Sequence, residues 1–198
     1  MNQELSRLSA QELWESFRRG NRWAFQQIYQ LYIKDLFYYG KKVTPNRELV
    51  EDAIHDLFLE LWQSREKLST TDSIKFYLFR ALRYKINHML QRPPYQYHGS
   101  IEDSEAHHHV EFPIEASLIR IEKEQFQERM LRECLDTLSP RQQQAIHLRF
   151  YEHFSNDEIA RIMEINYHSA CKLIYSALKS LKEVVRIFSV PLIMSFIG

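Results

Sequence analysis

Residues 155–183 read SNDEIARIMEINYHSACKLIYSALKSLKE and contain the most informative pattern of the chain. Apolar residues recur at helical spacing in two runs, and a short break separates the runs. Asn166 stands just before the second run, where an asparagine side chain caps the first amides of a helix. The pattern predicts a helix–turn–helix, a motif whose second helix enters the major groove of DNA. A helical hairpin without DNA contacts has the same pattern and remains an alternative.

The residues around this motif include side chains suited to DNA contacts. A further helix is predicted over 140–152, and it begins with Pro140, a residue favoured in the first turn. The turn position that usually holds a glycine is occupied by Glu164, while Cys171 and Leu173 lie on the predicted recognition face. The expected contacts are to base edges from His168, Ser169 and Lys172, and to phosphates from Arg141 and Arg149.

The composition indicates a soluble, all-α protein. Only four glycines and six prolines occur in 198 residues, and 26% of the residues are charged. The N-terminus lacks the apolar core of a secretory signal, and the apolar C-terminal tail is too short to span a bilayer. We expect a cytoplasmic protein whose two cysteines, Cys134 and Cys171, remain reduced thiols. The tail should pack on the last helix or on a partner.

Helical periodicity is interrupted once, in the middle of the chain. The interrupted stretch, 92–116, has paired prolines and no sustained period, which is typical of a linker. Its three consecutive histidines, His107 to His109, predict a solvated tract, since neighbouring residues do not converge on one metal ion. We predict helices over 3–19, 22–39, 47–65, 73–91, 117–137, 140–152, 156–163 and 167–186. The resulting domains are 1–92 and 117–186, joined by a flexible linker, 93–116, and followed by a tail, 187–198.

The formal net charge is zero, but the charges are separated along the chain. Between Glu48 and Glu66 there are six acidic residues and one basic residue, Arg65. Between Ser73 and Ile101 there is no acidic residue, while five are basic. Neighbouring segments of opposite sign suggest two partners of opposite character.

The acidic segment forms one amphipathic helix, whose apolar stripe should face the core. Its opposite side, here called the acidic face, carries an exposed leucine, Leu59, among carboxylates. Such a leucine favours protein docking, since burial supplies affinity and charge supplies orientation. A solvated surface is the alternative reading. The inward stripe is Ala53, Ile54, Leu57, Phe58 and Leu61, and the acidic face is Asp52, His55, Asp56, Leu59, Glu60 and Gln63.

The following helix, over 73–91, combines aromatic rings with arginines on its outward side, here called the basic face. Unpaired bases stack on such rings, at about 1–3 kcal/mol each, while arginines contact the phosphates. A solvated basic surface is again the alternative. The loop between the two helices is rich in hydroxyl groups, which can contact DNA or, at Asp72 or Ser73, cap the helix. The inward stripe is Ile74, Leu78, Ala81, Leu82 and Met89, and the basic face is Phe76, Arg80, Arg83, Tyr84 and Asn87.

Three stretches together resemble an extracytoplasmic-function (ECF) RNA polymerase sigma factor, of the kind common in the Bacteroidetes. They are LVEDAIHDLFLELWQSREKL at 49–68, SIKFYLFRALRYKINHML at 73–90, and LSPRQQQAIHLRFYEHFSNDEIARIMEINYHSACKLIYSALKSLK at 138–182. The resemblance covers about residues 10–183. It implies a two-domain helical protein that starts transcription with core RNA polymerase.

The resemblance also implies a role for each surface. The acidic face would bind core polymerase through Asp52, His55, Asp56, Leu59, Glu60 and Gln63. The loop and the basic face would open the minus-ten element through Lys67, Ser69, Thr70, Phe76, Arg80, Arg83, Tyr84 and Asn87. The helix–turn–helix would read the minus-thirty-five element through Arg141, Arg149, His168, Ser169 and Lys172.

The implied partners are core RNA polymerase, promoter DNA and an anti-sigma factor. No cofactor, metal or small-molecule substrate is expected, and no nucleophile–base pair or phosphate loop indicates an enzyme. A neutral sigma factor gains affinity from the polymerase and from two tethered DNA-reading domains. The alternatives are a stand-alone helix–turn–helix regulator and a sigma-like protein-interaction module.

Overall fold

The structure, a computed structural model, describes residues 9–91 and 135–194 of the chain, with side chains as far as Lys182. This part of the chain is helical. The predicted linker with its histidine tract, and most of the helix predicted over 117–137, lie outside the described residues. The helices are α1 (Ala10–Arg18), α2 (Arg22–Val43), α3 (Arg47–Ser64), α4 (Ile74–Leu90), α5 (Pro140–Ile146), α6 (Asn156–Ile162) and α7 (Tyr167–Met194).

Side chains that stand before the helices fix where each helix begins. A serine or asparagine there accepts a hydrogen bond from an amide that the helix itself leaves without a partner. Three of these serines, Ser9, Ser139 and Ser155, form capping boxes with Glu12, Gln142 and Glu158. The cap residues, in chain order, are Ser9, Asn21, Asn46, Ser73, Ser139, Ser155 and Asn166.

Helices α1 to α4 form the N-terminal domain around an aromatic core. Trp14 and Phe17 from α1 and Tyr39 from α2 are buried there, together with the predicted inward stripe of α3. Helices α2 and α3 cross closely at Gly40, where a Cβ atom would stand 2.5 Å from Cγ1 of Val50. This glycine is therefore required by the crossing rather than by backbone conformation.

Helices α5 to α7 form the C-terminal domain, which contains the predicted helix–turn–helix in α6 and α7. A π-helical turn, His147–Tyr151, extends α5. Glu164 adopts a left-handed backbone conformation, with φ at 55°, in the turn between α6 and α7. The prediction that α7 ends near residue 186 was wrong, since the helix continues to Met194 through Pro191. Within the described residues, no helix is long and apolar enough to cross a membrane.

The two domains pack against each other, and one continuous cluster of buried residues extends through both, while Leu138, Ile146 and Ala177 form a second, small cluster in the C-terminal domain. Helix α5 contacts α2, and α6 contacts α4. At the centre of this interface, Phe154 packs edge-on against Phe79, with ring centroids 5.2 Å apart, and against Phe76 at 6.4 Å. Helical periodicity alone does not predict this interface, because it reports only which side of each helix is apolar.

Candidate protein and nucleic-acid interfaces

Helix α3 presents the acidic face to solvent as predicted. All six of its members are exposed, and all five residues of the inward stripe are buried. Leu59 is 46% exposed and projects between carboxylates. One acid is engaged by the neighbouring helix, since Oε1 of Glu60 lies 2.5 Å from Nζ of Lys85 on α4. This pair is largely solvated at Glu60 and contributes little to stability.

An open groove of about 760 Å³ runs between α2 and α3 beside Leu59. Aromatic side chains make its floor, and Tyr29 packs edge-on against Phe58 with ring centroids 4.8 Å apart. Both signs of charge line it, from Lys34, Arg47 and Glu51, and His55 of the acidic face lies beside them. Such a groove suits an amphipathic helix of a partner protein. The groove is lined by Phe25, Tyr29, Ile33, Lys34, Phe37, Tyr38, Arg47, Glu51, Ile54, His55, Phe58, Leu59 and Trp62.

The α2 side of this groove was not identified from the sequence. Its tyrosines, Tyr29 and Tyr38, are exposed although they belong to a helix with a well-formed core stripe. Exposed aromatic residues on a core helix are a signal that sequence reasoning could have used. Combined with Leu59, they extend the predicted docking surface from one helix to two.

A hydrogen bond from α1 holds the loop between α3 and α4 in place. The indole Nε1 of Trp14 donates a hydrogen bond of 3.0 Å to the carbonyl oxygen of Ser69. Ser73, rather than Asp72, caps α4, since its hydroxyl accepts from the Phe76 amide at 3.1 Å. The predicted DNA contacts of this loop, Lys67, Ser69 and Thr70, all have exposed side chains.

Two members of the basic face, Arg80 and Tyr84, are exposed on α4. Tyr84 is 61% exposed, and its ring stacks on His88 with centroids 6.1 Å apart. Both residues line a cleft of about 310 Å³ between α3, α4 and the turn before α7, where Tyr77, Lys85, Glu60 and Glu164 also lie. An aromatic ring beside a guanidinium in an open cleft can accept a stacked base and its phosphate.

Three other members of the basic face, Phe76, Arg83 and Asn87, contact the C-terminal domain. Arg83 is only 6% exposed and donates from Nη1 to Oε1 of Gln144, so the expectation that it faces solvent was wrong. Phe76 and Asn87 are half-buried: Phe76 packs on Phe154, and Nδ2 of Asn87 lies 3.4 Å from a carboxylate oxygen of Glu164. The cause is the interdomain packing, which periodicity within α4 does not report.

Burial beneath the C-terminal domain also perturbs Tyr39, which lies behind Arg83. Desolvation raises the pKa of the Tyr39 hydroxyl to about 12, although the nearby Arg83 guanidinium opposes the shift. The phenol therefore stays neutral at any physiological pH. Tyr39 also stacks on His147 of the π-helical turn, with ring centroids 6.3 Å apart.

The helix–turn–helix has the predicted geometry. The Asn166 side chain accepts a 2.7 Å hydrogen bond from the Ser169 amide, and both His168 and Lys172 are exposed. Ser169 itself is half-buried. Two tyrosines of α7 are exposed as well: Tyr167, which the sequence predicts in the first turn of the recognition helix, and Tyr175, which was not identified from the sequence.

The apolar residues of the predicted recognition face have structural roles. Leu173 packs against the core, and Sγ of Cys171 accepts a hydrogen bond of 3.3 Å from Asn156. Arg141 is exposed, as expected of a phosphate contact. Arg149 is exposed too, but its Nη1 donates a 2.9 Å hydrogen bond to the carbonyl oxygen of Phe154. One side of that guanidinium is thus already engaged.

The chemistry available at these surfaces is that of binding. No group of three or more His, Cys, Asp or Glu side chains within the described ranges could hold a metal ion. Hydrogen-bond donors, aromatic rings and charges dominate both surfaces. Such groups are common at interfaces with proteins and nucleic acids.

Two protein families match the chain, and their matches follow one another in sequence. The family described as Sigma-70 region 2 matches residues 28–92, which include most of α2 and all of α3 and α4. The family described as Sigma-70, region 4 matches residues 128–181, which include α5 and α6. No curated protein matches the chain in sequence.

Two solved structures are similar in fold. The sigma factor RpoE from Bartonella quintana, in complex with the anti-sigma factor NepR, has a TM-score of 0.58 and 19% identity, over 82% of this chain and 97% of that chain. CnrH, in complex with the cytosolic domain of CnrY, has a TM-score of 0.56 and 15% identity, over 88% of this chain and 96% of that chain.

Proposed function

We propose that this chain, in which Sigma-70 region 2 matches residues 28–92 and Sigma-70, region 4 matches residues 128–181, is a sigma factor of the ECF type. It binds core RNA polymerase, recognises promoter DNA and starts transcription. One observation carries the proposal: two neighbouring helices of region 2 expose faces of opposite character. The acidic face and its groove suit a protein, while the ring of Tyr84 beside Arg80 suits unpaired bases.

Core polymerase binds at the groove between α2 and α3. A helical segment of the polymerase buries apolar side chains against the groove floor and against Leu59. The carboxylates Asp52 and Asp56, beside Leu59, orient that segment through its basic residues. The remaining predicted contacts, His55, Glu60 and Gln63, stand on the same side of α3.

The minus-ten element is opened at the cleft between α3 and α4. Removing a base from the duplex costs a few kcal/mol, which stacking on a ring such as Tyr84 offsets. Lys67, Ser69 and Thr70 supply donors from the loop, which Trp14 holds in place. Arg80 contacts the phosphates of the unpaired strand, and the covered residues of the basic face join it when the domains separate.

The minus-thirty-five element is read by the first turn of α7. His168 and Lys172 are exposed there, in the position from which a recognition helix contacts base edges. Arg141 and the outer side of Arg149 contact the flanking phosphates. Each domain binds DNA weakly on its own, and attachment to one polymerase raises the effective concentration of the second contact.

An anti-sigma factor is the third partner that we propose. RpoE was solved with the anti-sigma factor NepR, and CnrH with the cytosolic domain of CnrY. In this chain, the groove between α2 and α3 offers an anti-sigma segment the same apolar floor that it offers the polymerase. The two partners would then compete for Leu59 and its neighbours. The polymerase of a Bacteroidetes species is the one that we propose to use, because the sequence resemblance suggests that group.

The proposal is tested by adding the purified chain to core polymerase of a Bacteroidetes species. Association is followed by fluorescence anisotropy of the labelled chain, and initiation by sequencing transcript 5′ ends from genomic DNA fragments. We expect a stoichiometric complex and new transcript starts preceded by two shared sequence elements. A complex without transcripts would favour an interaction module. DNA binding without a polymerase complex would favour a stand-alone regulator.

A further inference from the structure

At the end of α1 lies a group of basic side chains, of which only Lys67 belongs to an interface proposed above. It is formed by residues 15–22, which end α1 and begin α2, and by the 3-10 turn Arg65–Lys67 that follows α3. These two segments carry five basic and two acidic side chains, although the chain as a whole is neutral. The group, here called the arginine corner, comprises Glu15, Arg18, Arg19, Arg22, Arg65, Glu66 and Lys67.

Arg65 joins the two segments of the arginine corner. Gly20 has a left-handed backbone, with φ at 85°, and a Cβ atom there would stand 3.5 Å from Nε of Arg65. The Arg65 guanidinium lies over the ring of Trp62, 4.7 Å from the centroid, and Nη1 donates to the Trp62 carbonyl oxygen at 2.8 Å. The end of α3 and the turn after α1 therefore fix the position of this charge together.

An open cleft of about 390 Å³ lies between the two segments. Arg18 and Arg19 line it together with the two acids, Glu15 and Glu66. Since one water molecule takes up about 30 Å³ of liquid volume, the cleft has room for a hydrated anion the size of pyrophosphate.

The acids of the arginine corner supply too few acceptors for its donors. A guanidinium has five N–H groups, and a carboxylate here accepts from only one guanidinium nitrogen. Glu15 accepts from Nη1 of Arg18 at 2.8 Å, and Glu66 accepts from Nη2 of Arg65 at 3.0 Å. The Nε atoms of Arg18 and Arg65 are buried without a hydrogen-bond partner. Donors and positive charge thus remain in excess.

Arg19 has no structural role that would account for its place in the cleft. Its side chain is exposed, as are those of Arg22 and Lys67. Among the residues that the structure describes, none of these three cations forms an ion pair. A phosphate group would supply both the missing charge and several acceptors, and guanidinium groups bind phosphate through paired hydrogen bonds.

The arginine corner is continuous with the loop between α3 and α4. Trp14, which donates to the Ser69 carbonyl oxygen, and Arg18 are four residues apart on the same side of α1, or about 6 Å along its axis. Lys67 belongs to both the loop and the corner. Only the N-terminal domain forms the corner, and it stays open while the two domains pack together, a state here called the closed chain.

We propose that the arginine corner is a binding site for a phosphate group, with Arg18 and Arg19 as its direct ligands and Arg65 as the residue that positions its floor. The phosphate has two possible sources, the backbone of an unpaired strand that continues past the loop and a free polyphosphate anion. The first source rests on the proposed function of the loop, whereas the second does not.

The site itself is tested by isothermal titration calorimetry of the full chain with sodium pyrophosphate at fixed ionic strength. We expect saturable binding by wild type, and a Kd about tenfold higher for Arg18→Gln combined with Arg19→Gln. Glu66→Gln should lower the Kd about threefold, because a like charge leaves the cleft. This gain of affinity cannot result from a damaged fold.

The source of the phosphate is tested with a dye-labelled oligothymidylate, read by fluorescence anisotropy over a series of salt concentrations. For single strands, each phosphate contact contributes about 0.7 to the slope of log K against log salt, so losing both arginines should lower the slope by about 1.4. That result assigns the phosphate to the strand. An unchanged slope, with pyrophosphate binding lost in the same variant, assigns it to a free anion.

The matched control removes two other neighbouring cations, through Lys41→Gln combined with Lys42→Gln. Both side chains are exposed at the opposite end of α2, about 30 Å along the helix from the arginine corner. This variant should keep the wild-type Kd for pyrophosphate. Arg19→Gln alone is the second variant, since its exposed side chain has no partner to lose, and it should raise that Kd about threefold.

Two results would overturn the phosphate site. One is the absence of saturable pyrophosphate binding by wild type, or an equal Kd for wild type and the arginine variants. The other is an equal loss with the lysine variant, because affinity would then follow net charge rather than position. Polymerase binding is measured separately, so its failure would remove the proposed function without altering the pyrophosphate result, and the reverse also holds.

Discussion

Truncating Leu59 to alanine should weaken polymerase binding by an amount that the structure bounds. Full burial of a leucine side chain contributes about 1.5–3 kcal/mol. Because Leu59 is already half-buried, with 46% exposed, docking can bury only the remaining part. That part corresponds to about 0.7–1.4 kcal/mol, or about a three- to tenfold increase in Kd.

The assay is a titration of labelled chain with core polymerase, read by fluorescence anisotropy. Leu31→Ala is the matched control, because Leu31 is 58% exposed on α2 but does not line the groove. It makes the same chemical change without altering the proposed contact, and it should leave the Kd within error. Thermal unfolding of both variants should match wild type, since neither side chain is part of the buried core.

An unchanged Kd for Leu59→Ala would refute docking at the groove. An equal loss with Leu31→Ala would refute it too, because the effect would then follow surface hydrophobicity rather than position. An increase in Kd far above tenfold would show that Leu59 contributes more than the burial of its exposed apolar surface, contrary to the magnitude worked out above.

Three further predictions concern the fold that positions these surfaces. Gly40→Ala should lower the free energy of unfolding by about 1–3 kcal/mol, measured in urea, because its Cβ would press on Val50 and separate α2 from α3. Trp14→Phe removes the donor to the Ser69 carbonyl oxygen and should speed hydrogen exchange in the loop between α3 and α4 without changing polymerase affinity. Glu152→Gln should destabilise the closed chain at neutral pH but not in acid, as followed by urea unfolding against pH.

The direction of the pH dependence follows from the surroundings of Glu152. Its burial opposes ionisation, but hydrogen bonds from His147 and Lys75 outweigh that effect and hold the pKa of the carboxyl below 4.5. A lowered pKa in the folded state stabilises the protein above pH 4.5, and the contribution disappears as the pH falls further. A difference between wild type and variant that persists at the acid end would contradict this role.

The predictions for Gly40→Ala and Trp14→Phe can each be contradicted by one result. An unfolding free energy unchanged by Gly40→Ala would mean that α2 and α3 do not cross as closely as the structure indicates. For Trp14→Phe, the control variant is Trp23→Phe on α2. If both substitutions changed hydrogen exchange in the loop equally, the hydrogen bond from Trp14 to Ser69 would not be what holds the loop in place.

Much of the fold could be predicted because it depends on local signals. Asn166 before an apolar run marks the start of α7, and Ser139 followed by Pro140 marks that of α5. The inward stripe of α3 followed from a period of 3.6 residues. The turn at Glu164 was located although its residue type is unusual there, since the flanking helices fixed its position.

The burial of Arg83 could not be predicted because its cause lies far away in the sequence. Its partner Gln144 is 61 residues further along, beyond the predicted linker. Periodicity assigns Arg83 to the polar side of α4, but the C-terminal domain covers it there. The groove was not predicted for a similar reason, since it exists only where α2 and α3 meet.

The central claim is that the two faces of region 2 serve different macromolecules, and permanganate footprinting of a mapped promoter tests it most directly. Permanganate oxidises unpaired thymines, so it reports melting of the minus-ten element. Holoenzyme carrying Arg80→Ala and Tyr84→Ala should form with unchanged polymerase affinity but lose the reactivity that wild type shows. Full reactivity in that double variant, with its fold intact, would contradict the assignment of α4 to DNA.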